Sequence, residues 1–179
     1  NDFYKSNQMK IDIIYNSKTI SFYIAKNEPK KMIQQHLIDN NIIPSDKFVR
    51  FYLVCQSKIV SILNDDDVIS DPNWVLHIEE IPKYQLEEDI LILKVNQSFK
   101  DGNDLVCFGV PFLIGIKFDE LCIDAKQRIC SLIGCQMNKF SILVQNNLNQ
   151  SDDYRMLMNN ENILDAIDGN NEIFAFFSS

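Results

Sequence analysis

The feature that most limits the fold is a repeat: the same order of elements occurs twice along the chain. In the first copy Met9, Ile11, Ile13 and Tyr15 alternate with Lys10, Asp12 and Ile14, which predicts a half-buried strand. After a turn at Asn16-Ser17-Lys18, Ile20, Phe22 and Ile24 repeat the alternation, completing a hairpin. A helix is predicted from about Glu28 to Asn40. Asn27 can cap its start, Pro29 is tolerated in the first turn, and Ile33 and Leu37 lie one turn apart on a buried face. Asn40-Asn41 suits a left-handed exit. Val49, Phe51 and Leu53 alternate with Arg50 and Tyr52 in a third strand, and Ile59 to Ile62 form a fourth. Trp74, Leu76 and Ile78, set against Val75, His77 and Glu79, form the last.

The second copy begins near Asp89. Leu91, Leu93 and Val95 give one face of its first strand, Asp101-Gly102-Asn103 a turn, and Val110, Phe112, Ile114 and Ile116 one face of the return strand. Pro111 cannot donate to a ladder, so this segment is an edge strand or is bulged there. A helix from about Asp119 to Ile133 follows, with Leu121, Ala125, Ile129 and Leu132 at helical spacing and Gly134 as its stop. Strands at Phe140–Gln145, Arg155–Met158 and Ile173–Phe177 complete the set, with a helical turn expected over Asn162–Asp168.

Two strands, a helix and three more strands is the element order of the ubiquitin-like β-grasp, in which one helix lies across a mixed sheet. The predicted class is therefore α+β, with two tandem β-grasp domains at 1–82 and 89–179 and a linker at 83–88. First and last strands can pair in parallel because the helix lies between them in sequence.

Composition narrows the function. A formal net charge of -8 argues against nucleic acid and anionic membrane surfaces, both of which need basic patches. No apolar run approaches the roughly 18 residues that span a bilayer, so a soluble intracellular protein is the default expectation; nucleus and cytoplasm are the expected compartments. Cys55, Cys107, Cys122, Cys130 and Cys135 lack CxxC spacing and read as reduced, buried small hydrophobes. No metal or other cofactor is expected, and Asp65-Asp66-Asp67 lacks the spacing of a calcium loop. The run Glu87-Glu88-Asp89 reads as a charged linker edge. No catalytic residue is expected: His36 and His77 suit surface or boundary positions, and Cys107 and Cys122 have no evident base. Phe174, Phe176 and Phe177 read as a core strand with one exposed aromatic.

Three segments are more distinctive. Leu76-His77-Ile78-Glu79-Glu80-Ile81-Pro82 joins the copies, Phe108-Gly109-Val110-Pro111-Phe112-Leu113-Ile114 forms the return strand, and Lys126-Gln127-Arg128-Ile129-Cys130-Ser131-Leu132 lies in the second helix. Together they closely resemble the fourth and fifth ubiquitin-like domains of the herpesvirus-associated ubiquitin-specific protease family, from about Tyr4 to Phe177.

That resemblance implies a non-catalytic module that activates the catalytic domain of the same polypeptide, a thiol-dependent deubiquitinase, by favouring its active conformation. Ubiquitinated substrates or their adaptors are further implied partners. The family carries a short activating peptide beyond the last domain, whereas this sequence ends two residues after Phe177. The alternative is a scaffold that recruits substrates without affecting catalysis. A ubiquitin-like modifier is disfavoured, since the sequence ends Ser178-Ser179 rather than Gly-Gly. Glu79, Glu80, Ile81 and Pro82 are the candidate interface. Pro82 restricts Ile81 to an extended exit that sets the angle between the copies, while the paired carboxylates suit a basic segment or the catalytic domain.

Overall fold

The computed structural model describes residues 7–86, 89–145, 153–167 and 169–178. Glu87 and Glu88, and Asp168 at the end of the expected helical turn, lie outside the described residues. The chain divides into two compact units, Asn1–Cys55 with Ile59–Pro82, and Lys83–Ser179 with the short stretch Gln56–Lys58.

In the first unit β1 (Gln8–Tyr15) and β2 (Lys18–Ala25) form a hairpin, followed by α1 (Lys30–Asp39), β3 (Val49–Cys55), β4 (Lys58–Ile62) and β5 (Val75–Glu80). The sheet order is β2-β1-β5-β3-β4, with the last strand parallel to the first at the centre. Asn16 and Ser17 make the hairpin turn with φ of 50° and 62°, and Asn41 takes the left-handed exit from α1 with φ 58°. Ile11, Ile13, Ile33, Leu37, Phe51, Leu53 and Leu76 form one buried cluster.

The second unit repeats the plan with β6 (Ile90–Asp101), β7 (Asp104–Lys117), α2 (Cys122–Ile133), β8 (Ser141–Gln145), β9 (Tyr154–Met156), a short α3 (Ile163–Ala166) and β10 (Glu172–Phe177). Its order is β7-β6-β10-β8-β9, with β10 parallel to β6. Leu93, Val95, Ile114, Ile116, Ala125, Ile129 and Ile173 form its core. The Asn162 side chain caps α3 by accepting from the Asp165 amide. A 3-10 turn at Lys83–Leu86 precedes β6.

Four expectations need correction. Asn27 does not cap α1: it sits at φ 63° in the preceding turn, and the helix starts three residues later, after Pro29. The first-turn amides are satisfied instead by the acidic loop, whose Asp67 carbonyl accepts from Lys30 N at 2.8 Å and whose Asp65 carbonyl accepts from Lys31 N at 3.0 Å. The second unit uses the same device, with the Cys122 and Ile123 amides donating to the Glu161 and Asn159 carbonyls at 2.8 and 3.1 Å. A backbone loop can thus replace a side-chain cap.

Leu121 and Leu132 do not belong to the buried stripe, being 37% and 62% exposed. Leu121 has extended backbone ahead of α2, so Cys122 takes the buried position beside Ala125 and Ile129. Ile133, not Leu132, packs on the core at the other end.

Val110 is 62% exposed, although Phe112, Ile114 and Ile116 share the expected face. The edge strand β7 bulges at Pro111: Val95 pairs with Phe112 and Gln97 with Phe108, leaving Asn96 opposite Gly109-Val110-Pro111. Gly109 supplies the turn with φ 66°, and Val110 swings outward.

His77 is buried rather than at the surface, at 7% exposure. Its imidazole stacks on its cross-strand partner Tyr52, with ring centroids 5.1 Å apart. Tyr52 and Val54 are buried alongside Phe51 and Leu53, so β3 is covered on both faces.

Candidate functional site

The stretch Glu79–Pro82 occupies the end of β5 and the residues just after it. Glu79 faces Arg50 across the ladder, and the guanidinium Nη1 donates to Glu79 Oε1 at 2.9 Å. Burial holds the Glu79 carboxyl above its ordinary range, and Arg50 partly offsets this. Glu80 is exposed and accepts from the Tyr15 hydroxyl at 3.1 Å. The Ile81 amide extends the pairing by donating to the Phe48 carbonyl at 2.8 Å. Pro82 has no amide hydrogen to continue it.

His36 Nδ1 lies 2.7 Å from Glu28 Oε1, and Glu28 Oε2 accepts from the Ala25 amide at 2.9 Å. Burial pushes the Cys107 and Cys122 thiols above their ordinary pKa, opposite to what a nucleophile needs. Among the described residues no group of three His, Cys, Asp or Glu is placed to hold a metal. No helix among them is long and apolar enough to cross a membrane.

Burial also pushes the His77 imidazole below its ordinary 6.5, which fixes the sign of a pH effect. Above that value the ring is neutral folded and unfolded alike. As pH falls through it the unfolded chain takes up the proton first, so stability declines until the lowered folded value is passed. The urea midpoint is therefore expected to drop between about pH 7.5 and 5.5. His77→Phe, a ring that keeps the Tyr52 stack, should flatten part of that drop; an unaltered pH slope in the variant would refute the assignment.

In the second unit the distinctive segments have structural work. Arg128 in α2 donates from Nη1 to the Gly115 carbonyl of β7 at 2.6 Å and from Nη2 to Glu120 Oε1 at 2.5 Å. Glu120 Oε2 in turn accepts from the Lys117 amide at 3.0 Å, so one guanidinium ties the end of β7 to the helix. The Lys126 ammonium lies 5.3 Å from the centre of the Phe140 ring. The segment from Phe108 to Ile114 carries the bulge.

Two surfaces of this unit were not legible in sequence. A groove of about 790 Å³ runs between Asp89, Leu91, Lys117, Leu164 and Phe118, the last 78% exposed. Another, of about 700 Å³, is lined by Phe99, Phe108, Phe176 and Phe177. Sequence periodicity marks core-facing residues, whereas these side chains meet at the ends of strands far apart in the chain.

A mixed five-stranded sheet with one long helix, built twice in succession, makes the molecule a tandem of ubiquitin-like domains. The chain also matches a family model described as ubiquitin-specific protease C-terminal, over residues 2–175. It belongs to that family. A search of curated proteins found no match.

Proposed function

We propose that this tandem regulates a ubiquitin-specific cysteine protease in cis, binding the active arrangement of the catalytic domain more tightly than the inactive one. Family membership across 2–175 carries the reading. Its energetics are undemanding, since a tenfold shift toward the active state needs only about 1.4 kcal/mol of differential binding. Covalent linkage raises the effective concentration to roughly millimolar, so a modest interface suffices. Within the stretch Glu79–Pro82, Glu80 is the carboxylate turned to solvent, while Glu79 is held by Arg50. Glu80 is thus the residue of this stretch best placed to meet a basic segment of the catalytic domain.

The test is hydrolysis of a ubiquitin–fluorophore conjugate by the catalytic domain alone and fused to the tandem. Fusion is expected to raise kcat/KM at least tenfold. Unchanged kinetics on fusion would overturn activation, and retained binding to a protein substrate in that case would point to a recruiting scaffold.

A further inference from the structure

Cys130 and Cys135 carry chemistry that the regulatory reading does not use. Helix α2 ends at Ile133, and Gly134 adopts the left-handed conformation, with φ 69° and ψ 34°. The Gly134 amide donates to the Cys130 carbonyl at 2.9 Å, and the Cys135 amide donates to the same carbonyl at 3.3 Å. The second bond is the six-to-one closure of a Schellman turn, which brings the side chains of its two end residues together. A hydrophobic pair usually fills those positions; here both are cysteines.

The contact is direct. The Cys130 thiol donates to the Cys135 carbonyl. Burial and, after it, the adjacent Cys130 thiol both push the Cys135 thiol's pKa up. Both cysteines are half-buried and unbridged. A disulfide needs Cα atoms about 4.4–6.8 Å apart. Cys130 and Cys135 stand at the two ends of one backbone hydrogen bond, and the Cys130 sulfur lies against the Cys135 carbonyl. The turn thus brings the two residues to one place at the end of the helix.

We propose that Cys130 and Cys135 are a redox modification site, closed to an intramolecular disulfide by hydrogen peroxide or a related hydroperoxide. The Cys130 thiolate attacks a peroxide oxygen, the O–O bond breaks, and the departing hydroxide takes up the thiol's proton as water, leaving a sulfenic acid. The second thiolate attacks that sulfur, the S–S bond forms, the S–O bond breaks, and a second water leaves. The two thiols lose two electrons and the peroxide gains them. Closure fastens the last turn of α2 to the chain beyond it. The inference stands independently of the regulatory reading.

Trypsin makes the test direct, because cleavage after Arg128 and Lys139 releases Ile129–Lys139 with both thiols on one peptide. The folded chain is treated with a small excess of hydrogen peroxide, alkylated with iodoacetamide, digested and weighed. This peptide is expected to be two hydrogens lighter than its reduced form and unalkylated, with dithiothreitol restoring both alkylation sites. Cys135→Ser should leave Cys130 as a sulfenic acid that dimedone traps. Full alkylation of both thiols after peroxide, or Cys130 joined to a different cysteine, would overturn the proposal.

Discussion

Phe51→Ala is expected to lower the unfolding free energy of the first unit by about 3–5 kcal/mol, the cost of deleting a buried aromatic side chain. Phe51 is 0% exposed in β3, pairs with Ile78 of the central strand, and shares its cluster with Ile13, Ile33, Leu37 and Leu76. The Lys30 ammonium, 5.1 Å from the ring centre, loses its aromatic partner as well. Domains of this size are typically stable by only about 5–15 kcal/mol, so the variant should be close to unfolding at ambient temperature. Trp74 is the chain's single tryptophan and packs against the same cluster, so its fluorescence in urea reports on this unit. A midpoint indistinguishable from wild type would show that the ring is not part of the core.

The second large effect is expected at Gly115. A β-carbon there would stand 2.7 Å from Ile90 Cγ2, 2.9 Å from Gln85 Cγ and 3.3 Å from Tyr84 Cε2. The position is buried in β7 opposite Ile92, and its carbonyl receives Arg128. Gly115→Val adds two methyl groups beyond that β-carbon and should destabilise the second unit by about 1–3 kcal/mol, the usual range for overpacking. Gly115→Ala should lie between wild type and valine. Hydrogen exchange of the β6 and β10 amides measures the loss, while the Trp74 transition should stay in place. Wild-type exchange protection in Gly115→Val would mean that the 3-10 turn at Lys83–Leu86 yields freely.

Alternation and helical spacing disclose the hairpins and both long helices, because each depends on residues near one another in sequence, while the parallel pairing of first and last strands follows from the order of elements. Pro111 announces the bulge through its missing amide, but which side chain the bulge turns outward depends on register against β6, which alternation around Val110 does not encode. Asn27 looked like a cap because capping side chains are local. The carbonyls that serve α1 come from Asp65 and Asp67, more than thirty residues on. One strand's alternation puts His77 on the polar face, while its burial follows from stacking on Tyr52 of a neighbouring strand. Gly115 sat unremarked in an apolar run, since nothing local indicates that Tyr84 and Gln85 press against it. At Glu79–Pro82 the sequence marks the stretch, and only the fold shows which carboxylate is tied to Arg50 and which faces outward.

The central place of β5 and β10 has a consequence for biosynthesis. Each sheet is seeded by a hairpin that can form early, yet its middle seam stays open until the final strand emerges from the ribosome. The hairpin and helix of a nascent unit must wait with their apolar faces uncovered, which favours rapid chaperone engagement over slow spontaneous collapse. Ribosome stalling just before Val75 should therefore leave a protease-sensitive intermediate, and release past Glu80 should protect it.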